Sequence, residues 1–284
     1  MLKLISLVLL IPVFLSLKND KPAYILYDSS GKKVAFSKMI KAFQKKEIIL
    51  FGEIHNNPIA HWLQLELAIE LKKSNHLILG AEMFESDNQE GLDLYLKDSI
   101  TNIELDTTVR LWNNYKTDYQ PLVDYAKSNN LPFVATNIPR RYAAMVHKKG
   151  GFTALESLSI KEKLWIAPLP IPFDSEIPSY KAMLNMFAGH GNPDIIKAQA
   201  SKDATMAYFI LKNWKKNHIF LHINGSYHSN NYEGILWYIK KQNPQIKSST
   251  ISTVHQEDIH KLNKKFKGLS DYIIVVDKNM TKTY

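Results

Sequence analysis

IILFGEIHNNP (residues 48–58) decides the fold. Residues 48–51 are a short apolar run, the length and composition of a strand buried on both faces. The chain then turns polar at Gly52-Glu53-Ile54-His55-Asn56-Asn57. Pro58 sits where the first turn of a helix needs no N–H donor. Leu63, Leu67 and Leu71 follow at four-residue spacing, which predicts a helix to residue 74. A buried strand, a polar turn and an amphipathic helix make the first unit of an α/β protein.

The same rhythm extends in both directions. Residues 76–81, 131–135, 218–223, 249–254 and 272–276 read as further strands. Residues 88–97, 120–128, 139–148, 194–213 and 234–242 read as helices. Near the start, 23–27 and 33–36 flank Asp28-Ser29-Ser30-Gly31 as a hairpin, and Ser37 is placed to cap a short helix to residue 44. Residues 152–191 break the pattern with Pro168, Pro170, Pro172 and Pro178, then an apolar helix around Met183 and Met186. This stretch is expected to be an inserted helical lid. Strand–helix alternation predicts a mainly parallel sheet with helices on both faces, forming a single domain over residues 23–284.

The chain has 284 residues, 45% hydrophobic and 22% charged, enough to bury a sizeable core. Residues 4–17 form an apolar run behind Lys3, and Lys18-Asn19-Asp20 ends it. About 14 apolar residues suit a signal peptide better than a bilayer crossing, which needs about 20. Residues 1–18 are therefore expected to be a signal peptide, and the protein to be exported, periplasmic or secreted. Cysteine is absent, which excludes disulfides, thiolate metal sites and a cysteine nucleophile. The formal charge of +9 is scattered over pairs such as Lys45-Lys46 and Lys264-Lys265. It suits solvated faces, an anionic ligand or peripheral contact with a membrane; no nucleic-acid module is present.

Four predicted strands end in polar groups: Glu53 and His55, Glu82 and Glu85, Asn137 with Arg140 and Arg141, and Asn224 with His228. Each residue alone has a structural use. Glu53 can cap the helix opening at Pro58, and Arg140 can pair with Glu82. Together they fall on the sheet edge where α/β proteins bind ligands. Glu53, Glu82, Glu85, His55 and His228 offer oxygen and imidazole donors suited to zinc, manganese or iron. Asn137 and Asn224 can orient them. Arg140 and Arg141 can grip a carboxylate or phosphate, and His55 and His228 can act as bases. No G-x-S-x-G elbow, H-E-x-x-H helix or Gly-rich dinucleotide loop is present.

GEIHNNPIAHWLQ (52–64), AEMFE (81–85), YQPLVDYAKSNNLPFVATNIPRR (119–141), QASKDATMA (199–207) and NGSYH (224–228) occur in this order. In these blocks the chain resembles the ChaN family of haem-binding, iron-regulated proteins, within a wider group that includes erythromycin esterases and Tiki/TraB proteases. The resemblance runs from residue 48 to the final strand. It implies a three-layer α/β/α sandwich with extra helices, and haem binding linked to iron acquisition. Members are often lipoproteins; this chain has no cysteine to carry a lipid.

Haem requires an apolar slot, an axial donor and cations for its propionates. Met183, Met186 and Phe187, with His190 close by, are the expected apolar wall. Tyr119, Tyr142, Tyr227 and the histidines are the candidate donors, with nothing in the sequence to choose among them. The competing reading is a metal-dependent esterase or protease in which Glu53, His55, Glu85 and His228 hold a divalent ion, with His55, Glu85 and His228 catalytic. A third is a purely structural polar network. The expected partners are haem, a second copy sharing haem across a homodimer, and an outer-membrane haem receptor.

Overall fold

A computed structural model describes residues 21–186 and 193–284. The expected signal peptide, Phe187 and His190 lie outside these residues. Among the described residues the chain runs β1 (Tyr24–Asp28), α1 (Phe36–Phe43), β2 (Ile48–Glu53), α2 (Pro58–Lys72), β3 (His76–Glu85), α3 (Gln89–Leu96), α4 (Asn102–Thr108) and α5 (Gln120–Ser128). It continues as β4 (Phe133–Asn137), α6 (Arg140–Lys148), α7 (Ile160–Lys163), α8 (Pro178–Met186), α9 (Asp194–Asn213), β5 (His218–Gly225), α10 (Ile235–Gln242), β6 (Ser248–Gln256) and β7 (Tyr272–Asp277). The strands form one sheet in the order β1-β7-β6-β2-β5-β3-β4. Only the edge pair β1–β7 is antiparallel.

The apolar patterning explains the layers. All six residues of β2 are buried, as a central strand covered on both faces requires. On one face pack Leu63, Leu67 and Leu71 of α2, with Phe43, Leu92 and Val123 from α1, α3 and α5. On the other pack Val146 of α6, Met206 and Ile210 of α9, and Ile235 and Ile239 of α10. This is the expected α/β/α sandwich. In the stretch expected as a lid, Leu155, Leu158, Ile166 and Ile171 join the second layer, while Tyr180 of α8 packs with Ile177, Ile196 and Ala200.

Several boundaries differ from the sequence reading. Ser37 does not cap α1; the cap position is Ala35, with no side-chain bond. The early hairpin shrinks to one bridge, Tyr27 to Lys33, because α1 takes over at Phe36. Strand β3 continues to Glu85, and β4 occupies 133–137. Helix α4, which the sequence reading does not assign, starts with a capping box between Thr101 and Glu104.

The topology places a crevice. Strands β2 and β5 are neighbours, with Glu53 opposite Gly225. The chain leaves β2 for α2 on one face and leaves β5 for α10 on the other. Adjacent parallel strands whose continuations diverge to opposite faces open a cleft at their carboxyl ends.

Candidate functional site

Two glycines let the loops meet in this crevice. A Cβ on Gly225 would lie 2.8 Å from Nε2 of His55 and 3.5 Å from Oε2 of Glu82. A Cβ on Gly52 would lie 2.8 Å from Cα of Ser226 and 2.9 Å from the Ile251 carbonyl oxygen. The Gly52–His55 and Gly225–His228 loops therefore share one rim.

Glu53, the last residue of β2, is buried. Its Oε1 accepts from the Tyr119 hydroxyl at 2.7 Å and from Nδ1 of His55 at 2.9 Å. Its Oε2 accepts from the Gln64 amide and lies 3.3 Å from Nδ1 of His61, an ionic contact outside good hydrogen-bond geometry. Burial alone would push the Glu53 carboxyl up; the hydrogen bond from His55 and the positive charge of His61 and His55 prevail and bring it down to about 2.

His55 is held by one ring nitrogen. With Nδ1 on Glu53, its Nε2 is left beside Gly225, and the side chain is 34% exposed. The ring meets Trp112 edge-on at 4.9 Å. Burial disfavours a charged His55, but Glu53 and Glu82 outweigh it and raise its proton affinity. Behind it, His61 Nε2 donates to the His55 carbonyl at 3.2 Å and lies 3.4 Å from Asp118. Asn114 donates to that same carbonyl at 3.1 Å.

A second network meets the first at Gly225. Glu82 accepts from the Gly225 N–H at 2.7 Å and lies 3.1 Å from Nε2 of His228. His228 Nδ1 bonds Asp203 at 2.6 Å, and Asp203 accepts from the Tyr180 hydroxyl at 2.8 Å. Burial opposes charge on His228, yet its two carboxylate neighbours hold its proton up to about 10. Burial conversely raises Asp203. The triad thus keeps its proton on the imidazole through the neutral range.

Glu53, His55, Glu82 and His228 lie together at this rim. Glu85 does not: β3 carries a bulge between Ala81 and Glu85, and Glu85 pairs with Arg110 at 2.7 Å. The expected metal quartet is therefore not assembled. Among the described residues, no group of three or more His, Cys, Asp or Glu side chains could hold a metal ion. Arg140 is exposed and does not pair with Glu82, whose partners are His228 and Gly225. Arg141 pairs with Asp87 at 2.6 Å and stacks 4.4 Å over Tyr142. Tyr142 is buried and donates to Glu162 at 2.9 Å, away from the crevice. Tyr227 is exposed, and its hydroxyl donates to the Ser179 carbonyl at 3.1 Å. Asn137 donates to the Glu82 carbonyl at 3.0 Å, while its Oδ1 is buried without a partner among the described residues. Asn224 ties Gly225 to Ser229 and shapes the loop.

Sequence reading missed His61, Gln64, Asp118, Tyr180 and Asp203. A signal existed for His61 and Gln64, polar side chains on the otherwise apolar stripe of α2. Asp203 likewise sits buried among alanines in α9.

Chemically, the crevice presents an imidazole nitrogen backed by a carboxylate. Such a pair donates to a metal centre or accepts a proton. Residues 39–239 match the model of a family described as haem-binding uptake, Tiki superfamily, ChaN. Among solved structures the chain is similar to ChaN of Campylobacter jejuni, described with cofacial haem binding. The TM-score is 0.66 at 20% identity, over 89% of this chain and 97% of that one. A Bacillus cereus protein is similar at TM-score 0.51 and 10% identity, over 84% and 90% of the two chains. The protein RETICULATA-RELATED 5, chloroplastic, of Arabidopsis thaliana is 28% identical over 211 residues, 66% of this chain. The chain spans 28% of that relative's length. The structural likenesses, at these identities, bear on fold alone.

Proposed function

The chain belongs to the haem-binding uptake family ChaN of the Tiki superfamily, and from this premise we propose that it binds haem at the β2–β5 crevice, where His55 Nε2 would donate to the iron. The observation that carries the assignment is the Glu53–His55 pair. Glu53 fixes the ring by Nδ1 and leaves Nε2 at the crevice, the arrangement by which a carboxylate orients an imidazole ligand. Trp112 beside the ring offers an aromatic wall, and Arg140, exposed at the start of α6, offers a cation for a propionate. Bound haem would supply the iron centre; the protein's residues orient the donor and tune its basicity.

We further propose export by the predicted signal peptide and a role in haem and iron acquisition. Among the described residues no helix is long and apolar enough to cross a membrane. An acceptor such as an outer-membrane haem receptor, or a second copy, fits a crevice whose donor is partly open. Hemin titration tests the reading. A saturable Soret shift is expected, and His55→Ala should weaken binding by about 10- to 100-fold or more. No Soret shift with the folded protein would remove the haem reading; an unchanged spectrum and affinity in His55→Ala would remove the donor assignment.

A further inference from the structure

A cavity of about 590 Å³ opens where α10 meets the start of β6 and the turn before β7, a region separate from the crevice. This volume lies in the range of small-molecule sites. The cavity is an open depression: Leu236 and Trp237 of α10 give it an apolar floor, and the exposed Tyr232 borders it. Tyr232 is held there at a cost. It and Asn231 have φ of 63° and 59°, the left-handed region that a bulky side chain rarely adopts. The Asn231 N–H donates to the Leu269 carbonyl at 2.8 Å, and Ser252 donates to Asn230 at 2.6 Å, so the surroundings fix that conformation.

The charges decide what such a cavity takes. Lys240 already donates to the carbonyls of Pro244 and Ile246 at 3.3 and 2.5 Å. Lys241, exposed, lies 5.1 Å over the Trp237 ring and carries a charge not spent on a carboxylate among the described residues. The one acid on the lining, Asp271, accepts from the Ser249 hydroxyl at 2.6 Å and the Thr250 N–H at 2.9 Å. Two ammonium groups against one carboxylate already satisfied by donors repel a cation and attract an anion. Aromatic walls with a single accessible ammonium match a flat apolar body with one negative head.

We infer that this cavity is a second ligand site, independent of the crevice, for a small aromatic monocarboxylate. The Lys241 ammonium pairs with the carboxylate, and the rings of Trp237 and Tyr232 flank the aromatic body. Isothermal titration calorimetry of the full chain with 1-naphthoate tests this. Saturable binding near one equivalent is expected, with 1-naphthalenemethanol, the neutral counterpart, markedly weaker. Lys241→Glu, an exposed change that leaves the fold intact by circular dichroism, should weaken naphthoate about tenfold or more, the loss expected of one charge-assisted contact. His55→Ala should bind naphthoate like the wild type. Absence of saturable binding, equal affinity for the neutral compound, or an unaltered Lys241→Glu affinity would each overturn the inference; loss of binding in His55→Ala would assign the ligand to the crevice instead.

Discussion

His55 reaches the crevice by a clearance of one missing methyl group. The Cβ of an alanine at 225 would sit 2.8 Å from Nε2 and 2.9 Å from Cε1, both at the far end of a side chain that can swing aside. Gly225→Ala should therefore fold normally yet displace the donor, weakening hemin by about 10- to 100-fold in a Soret titration. An affinity equal to wild type would mean the ring does not use this position. Proton linkage gives a second expectation. The carboxylates around His55 raise its proton affinity, and ligation requires that proton to leave. Ferric haem affinity should rise as pH increases above 6.5, and His55→Ala should flatten that slope. At this scale the sequence was legible where a polar residue directly follows an apolar run, as at Glu53 and His55. It misled at Glu85, because nothing in AEMFE announces a bulge that sends the second glutamate to Arg110. Asp203 and Tyr180 were not legible as partners of His228, since only folding brings residues so distant in sequence together.

Strand β2 is the element on which the crevice depends, and Gly52 is its narrow point. Here the atoms a Cβ would meet are backbone, Ser226 Cα at 2.8 Å and the Ile251 carbonyl at 2.9 Å, and neither can rotate away. Gly52→Ala should cost roughly 1–3 kcal/mol or more in a urea titration, the range of overpacked cores. Coincident unfolding midpoints for variant and wild type would show that β5 and β6 yield more readily than their packing implies. The contrast with Gly225→Ala is the useful part, since one glycine makes room for a side chain and the other for the sheet. Elements were legible where period and length agreed, as in α2 with its leucines every four residues. They were less so at ends. Strand β3 runs on through Glu85 because its last residues still pair with β4, and pairing is not written in composition. Helix α4 is short and mostly exposed, so it carries no apolar stripe, and only its capping box marks it.

On the scale of the molecule, seven strands and two helical layers bury two carboxylate–imidazole networks at one sheet edge, and this ties stability to pH. The layered α/β plan was legible from alternation alone, whereas the meeting of β2 with β5 was not, because strand order is set by packing and not by alternation. The pH response follows from the folded networks. Glu53 has an ordinary value of 4.5 and is held at about 2 when folded, so its contribution is present above 4.5 and fades as pH falls toward 2. His228 moves the other way, from 6.5 to about 10; its contribution is complete below 6.5 and fades as pH rises toward 10. Burial of Asp203 raises its proton affinity, which also subtracts stability as pH rises above 3.8. The haem-free protein should accordingly be most stable in the mildly acidic range. It should lose roughly 2–3 kcal/mol between about pH 7 and about pH 9, read from urea unfolding midpoints, since His228 there sheds a proton more readily unfolded than folded. His228→Gln would reduce that alkaline slope, leaving the smaller share of His55 and His61, while keeping a hydrogen-bonding side chain between Glu82 and Asp203. A wild-type stability that climbs from neutral to alkaline pH would show that the imidazole is not held charged between its two acids.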